Sequence, residues 1–160
     1  SIAMSVLLSN VAVAAPSPVV ANHSESRITA LPSGPDPIGF AGAFAGVHRS
    51  CLVVAGGANF PDGKMPWDGG KKGWHDRVFL LDLATPGAVW RASGTLPGPR
   101  GYGASLSLPE GILMIGGGDA SGHSREVILL AMAADKQSVR QSQLPALPVP
   151  LAQQAAAVSG

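Results

Sequence analysis

Charge is scarce in this chain. Only 13% of its 160 residues are Asp, Glu, Lys or Arg, 11 basic against 10 acidic, with a net charge of +1. An ordinary soluble domain carries about 25%. So few charges cannot clothe a long coiled coil. So even a balance leaves no electrostatic footprint for nucleic acid or an anionic membrane surface. Cysteine is nearly missing as well: Cys51 stands alone, which excludes an internal disulfide framework and a cysteine-based zinc cluster. Aromatic residues are 5%. Abundant instead are Gly (21) and Pro (14), within a chain that is 46% hydrophobic. That apolar share is too high for a chain held open by charge. The Gly and Pro content points to a globular, turn-rich, all-β protein.

The first residues stand apart. Ile2 to Ala15 carry no charge and are too few to span a bilayer, which takes about 20 residues. Ala12-Val13-Ala14 is a small-x-small pattern, followed by Pro16-Ser17-Pro18. This resembles the apolar region and cleavage site of a secretory signal peptide without its basic start. Residues 1–15 are therefore expected to be a signal-peptide remnant, and the protein to be exported. A buried strand or short helix is the other reading. Residues 16–36 hold five Pro or Gly and no apolar period, as a linker does.

The remainder repeats. Pro37-Ile38-Gly39-Phe40-Ala41-Gly42-Ala43 aligns with Pro99-Arg100-Gly101-Tyr102-Gly103-Ala104-Ser105. Cys51 to Gly57 aligns with Ile112 to Gly117, Arg77 to Asp82 with Glu126 to Leu130, and Leu96-Pro97-Gly98-Pro99 with Leu147-Pro148-Val149-Pro150. Each unit reads as a small-residue strand, an apolar strand ending in Gly-Gly, a long loop, a second apolar strand, a short strand and a Leu-Pro turn. Four short strands at a period of about 50–60 residues make a β-propeller blade. Residues 38–97 form one blade and 100–146 another. Residues 147–160 open a third with its first strand. Trp90 is expected as a wedge between blades. Closure takes at least four blades, so the chain is expected to be a piece of a longer protein.

Gly-Gly strand ends, Trp90 in the fourth strand and Arg100 at the next blade's entry resemble the kelch repeat. A longer run is more specific: Gly56-Gly57-Ala58-Asn59-Phe60-Pro61, Pro66-Trp67-Asp68-Gly69-Gly70-Lys71-Lys72 and Trp74-His75-Asp76. It is flanked by Gly39 to Gly46 and by Arg100 to Ser105. Together these resemble the cyclically permuted mutarotase family, kelch propellers similar to bacterial N-acetylneuraminate epimerase. The resemblance covers about residues 31–130. It implies a six-bladed parent in the periplasm, an isomerase acting on sialic acid, and no cofactor. Two departures stand out. Ser138 falls where the second unit would place its Trp. The family's Gly-Glu-x-Lys-Pro-Gly-x-Arg element does not occur in these residues, so the catalytic acid and base stay unassigned.

Antiparallel pairing puts Arg100, the 58–76 loop and the 118–125 loop at one mouth of the channel. At 19 residues the first loop far exceeds an ordinary hairpin connection, which favours binding. Sialic acid has a carboxylate and several hydroxyls. Arg100 suits the carboxylate in a bidentate fork, Asn59 and Asp119 suit hydroxyls, and Lys71 or Lys72 adds attraction. His75 joins the set. Each has a plainer reading: Arg100 capping loop carbonyls, the lysines solvated, His75 packed beside Trp74, Asn59 in a left-handed turn, Asp119 bonded to local backbone. His123 and Glu126 make too weak a spacing for a metal. Two functions stay open. One is a sugar-acid mutarotase working by general acid/base ring opening; the other is a non-catalytic kelch propeller that binds a glycan or protein.

Overall fold

The computed structural model describes residues 30–159. The expected signal-peptide remnant and the first part of the linker lie outside them. The described chain is all-β, its one helical element among these residues being a three-residue 3-10 turn, Pro66–Asp68.

Two four-stranded antiparallel sheets dominate. The first runs β1 (Phe44–His48), β2 (Cys51–Ala55), β5 (Arg77–Asp82), β6 (Arg91–Thr95), in that spatial order. The second runs β7 (Ala104–Leu108), β8 (Gly111–Ile115), β11 (Val127–Met132), β12 (Val139–Leu144). Local chemistry explains the strands. The β1–β2 turn, Arg49-Ser50, has φ of 51° and 60°, the two positive values that a twisted two-residue hairpin needs. Val78 to Leu81 in β5 are buried without alternation, as in a strand covered on both faces. The outer strands β6 and β12 are polar and largely exposed.

The core lies between the sheets. Phe44, Cys51, Val53, Ala55, Val78, Leu80 and Leu96 pack against Ile112, Met114, Ile128, Leu130 and Met132. Polar groups stitch the same seam. Ser105 Oγ donates to the Ala45 carbonyl at 2.8 Å, and Ser107 Oγ accepts from the Val47 amide at 2.9 Å, so the open edge of β1 is met by hydroxyls of β7. Buried His48 accepts the Met132 amide on Nδ1 at 3.0 Å and donates from Nε2 to the Pro109 carbonyl at 3.1 Å.

Two expectations are corrected. Trp90 lies one residue before β6, half-buried and outside the central cluster; its indole donates to the Pro32 carbonyl at 3.2 Å. Residues 147–159 form no strand. First strands pair only with the second strand of their own sheet, and no such neighbour for this segment lies among the described residues.

Each second strand ends in the same device. Gly56 and Gly57 have φ of 66° and 95°; Gly116 and Gly117 have 61° and 88°. The Gly57 amide donates to the Arg100 carbonyl at 2.7 Å, and the Gly117 amide donates to the Leu151 carbonyl at 2.8 Å. A Cβ on Gly56 would sit 2.2 Å from the Arg100 carbonyl oxygen, so the crossing excludes any side chain. Gly56→Ala should destabilise the chain by about 3 kcal/mol. The overpacking and left-handed costs of about 1–3 and 1–2 kcal/mol outweigh the gain of about 0.4–1 kcal/mol from a stiffer unfolded chain. The shift of a denaturant unfolding curve checks this.

Candidate functional site

Past each Gly-Gly the chain opens into a two-stranded ribbon: β3 (Ala58–Asn59) with β4 (Gly73–Trp74), and β9 (Gly118–Asp119) with β10 (Gly122–His123). The segment carrying Arg100 is tied to both. The Arg100 amide donates to the His75 carbonyl at 3.0 Å, and Gly101 and Gly118 exchange amide-to-carbonyl bonds at 2.9 Å each. The main chain of Arg100 and Gly101 is therefore fixed by backbone bonds.

The Arg100 side chain is buried, and its Nη2 is ion-paired with the Glu126 carboxylate. Its Nε has no hydrogen-bond partner among the described residues. Burial pushes the pKa of Arg100 down, while the Asp119 carboxylate pulls it up. The spacing of Glu126 from His123 does not announce this pairing. The alignment of Glu126 with Arg77 at a strand entrance was the signal that it sits at the rim.

Asn59 and His75 come together, but on each other. His75 Nε2 donates to Asn59 Oδ1 at 2.8 Å, and Asn59 Nδ2 donates to the Gly39 carbonyl at 3.0 Å. Phe40 packs edge-on against the His75 ring at 4.9 Å. Asn59 is 6% exposed. This pair closes the base of the long loop.

Lys72 and Asp119 line one cleft of about 430 Å³ with Trp74, Tyr102, His123 and Gln153. Asp119 also joins Arg100 in an adjoining recess of about 180 Å³. Asp119 Oδ1 accepts from the Ser121 hydroxyl at 2.6 Å and from the Ser121 amide at 2.7 Å. Those two bonds, hydroxyl first, hold its carboxyl below the usual range against a smaller opposing effect of burial. Asp119 is thus an ionised, acceptor-only group suited to hydroxyls. Lys72 Nζ donates to the Tyr102 hydroxyl at 3.2 Å and lies 4.8 Å and 5.4 Å from the Tyr102 and Trp74 ring centres. The sequence alone does not single out Trp74, Tyr102, Ser121 or Glu126 as site residues. Lys71 is exposed and does not line the cleft; Trp67, on the same loop, is 81% exposed.

Comparison with known proteins places this arrangement in a class. The fold matches the solved structure of YjhT with a TM-score of 0.58 and 31% identity, over 70% of this chain and 33% of that one; it is a kelch-type β-propeller fold. The sequence model of a family described as N-acetylneuraminate epimerase matches residues 19–140. The N-acetylneuraminate epimerase of Brucella melitensis biotype 1 is 37% identical over 115 residues, 65% of this chain and 29% of that protein. That of Yersinia pestis strain Pestoides F is 36% identical over 98 residues, 56% of this chain and 24% of that protein. The chain belongs to the N-acetylneuraminate epimerase family, and it spans less than a third of the length of these relatives.

Removing the hydroxyl that holds Asp119 tests its electrostatics. Ser121→Ala should raise the Asp119 pKa toward its ordinary value. Stabilisation from a depressed carboxyl pKa is present above the unfolded-state value and lost as pH falls through the folded one, so the variant should lose it at a higher pH. Titration of the Asp119 carboxyl carbon by NMR reads the shift.

Proposed function

We propose that this chain is part of a longer kelch propeller that interconverts the α and β anomers of N-acetylneuraminate. The carrying observation is the family match over residues 19–140. In this reading residues 38–97 and 100–146 are blades, and 147–160, which form no strand among the described residues, lead toward a third. The uncharged run from Ile2 to Ala15, ending in a small-x-small pattern, supports an exported, periplasmic setting.

The chemistry is a proton exchange. A base takes the anomeric hydroxyl proton, the bond from the anomeric carbon to the ring oxygen breaks, and the ring oxygen takes a proton. The open ketone then recloses on its other face. Nothing is oxidised or reduced, so the reaction calls for no redox cofactor.

This chain's part is to hold and orient the sugar acid at the rim. Lys72, Arg100 and Asp119 bound the two recesses, and the Asn59–His75 pair keeps the long loop in place. The two recesses share Gly118, Asp119, Ser121, Gly122 and His123, which supports one elongated site for a ligand with a charged end and a polyol end. The acid and base are expected on blades beyond this chain.

NMR of freshly released α-anomer tests the reading. The complete protein should speed the appearance of the β-anomer at catalytic concentration with no added cofactor. Equal rates with and without protein would leave a non-enzymatic binding propeller as the better account.

A further inference from the structure

We propose that Lys72, clamped between Tyr102 and Trp74, is the carboxylate seat of the rim cleft, and that Arg100 is not. The inference rests on the sugar-acid reading above and assigns the polarity of the bound ligand.

Two cations stand near the cleft, and their surroundings differ. Arg100 already has an anion: Glu126 is ion-paired with its Nη2. A second carboxylate arriving there would meet the negative charge of Glu126. Among the described residues, Lys72 forms no ion pair and is the only Lys or Arg that lines the 430 Å³ cleft. No carboxylate is paired with it, and it lines the space a ligand would fill.

Lys72 is also held. The Tyr102 hydroxyl accepts one of its protons at 3.2 Å. The ammonium lies 4.8 Å from the Tyr102 ring centre and 5.4 Å from that of Trp74, both within cation–π range. The two rings meet edge-to-face at 5.7 Å. A lysine free in solvent loses much rotamer entropy when it grips a ligand; here the rings have met that cost before binding. An ammonium has three protons, so two remain for a carboxylate.

The clamp is built at a conformational cost. Tyr102 has φ of 60°, the left-handed region that a non-glycine residue adopts only when its surroundings hold it there. Its amide donates to the Gly42 carbonyl at 2.7 Å. Its ring fills the space above Gly42, where a Cβ would lie 2.6 Å from a ring carbon. Strain of this sort clusters where a side chain must be presented in one place.

Asp119 completes the polarity. Held ionised by Ser121, it repels a carboxylate and accepts from hydroxyls. The ligand's carboxylate therefore lies toward Lys72 and its hydroxyl-bearing part toward Asp119.

The test uses the complete protein, with N-acetylneuraminate and its uncharged methyl ester as paired probes in calorimetric titration. Wild type should bind the acid at least about ten-fold more tightly than the ester. Lys72→Met should bring the two within about two-fold while leaving the thermal midpoint unchanged. Lys72→Arg should restore most of the preference, and Tyr102→Phe should lose only part of it. A preference that survives in Lys72→Met overturns the assignment and leaves the substrate reading standing. Equal binding of the two probes by wild type does the same. Wild type that binds neither probe overturns the substrate reading and this inference with it.

Discussion

A backbone crossing too tight for any side chain organises everything else in this chain. Where β2 ends, Gly56 and Gly57 pass against the Arg100 carbonyl; where β8 ends, Gly116 and Gly117 pass against that of Leu151. The crossing ties the end of one sheet's second strand to the segment entering the next unit. It sets three positions in register at once: Gly42, Tyr102 and Gln153 all have φ near 60°. The Tyr102 amide donates to the Gly42 carbonyl, and the Gln153 amide donates to the Tyr102 carbonyl. Side chains at the rim are thus placed by main-chain bonds, which do not depend on rim chemistry. That separation lets a repeated scaffold carry residues that are not repeated.

The charges at the rim divide by burial. Arg100 is buried and needs a permanent partner, because an uncompensated charge out of water is costly. Glu126, whose side chain is 37% exposed, supplies it. Lys72 remains at the surface, where water tolerates an unpaired ammonium, and aromatic faces fix its place without cancelling its charge. The same rim therefore holds one cation committed to structure and another left open. Sequence position could not separate them, since both are basic residues near a Gly-rich turn.

Most of the fold was legible in the sequence, because the repeat is spelled in residues with few alternatives. Gly-Gly pairs mark the crossings, unbroken apolar runs mark strands covered on both faces, and Leu-Pro marks the unit ends. Residues 147–159, read in the sequence as opening with a strand, form none, and a strand is defined by its ladder partner as much as by its own residues. Trp90 missed the core because a large aromatic pattern does not say which side of a strand boundary it falls on. The site was legible as a region and less so in its detail. Lys72 and Asp119 share the cleft as their loops implied. Asn59 and His75 turned to each other, sixteen residues apart, a pairing that no local spacing announces. Tyr102 and Trp74 were visible only as parts of a motif; their shared grip on Lys72 depends on a ring laid over Gly42, which takes coordinates to see.

The two ribbons show how residues outside the cleft still shape it. Two residues separate β9 from β10, whereas thirteen separate β3 from β4. Lengthening a flexible loop from two residues to thirteen costs only about 1.6 kcal/mol by the logarithmic rule. Local bonds offset part of that: the Met65 carbonyl accepts from both the Asp68 and Gly70 amides at 2.9 Å. A floppy loop would nevertheless leave Lys72 unplaced, since it is the last residue before β4. The Asn59–His75 bond prevents this by joining the residue that leaves the ribbon to the one that follows its return. Phe40, stacked on Phe79 at 5.7 Å, braces the His75 ring from the first sheet. A rigid path therefore runs from the buried β5 strand through Phe40, His75 and Asn59 to the ribbon that presents Lys72 and Trp74. Asn59 and His75 thus fix the ribbon from which Lys72 enters the cleft.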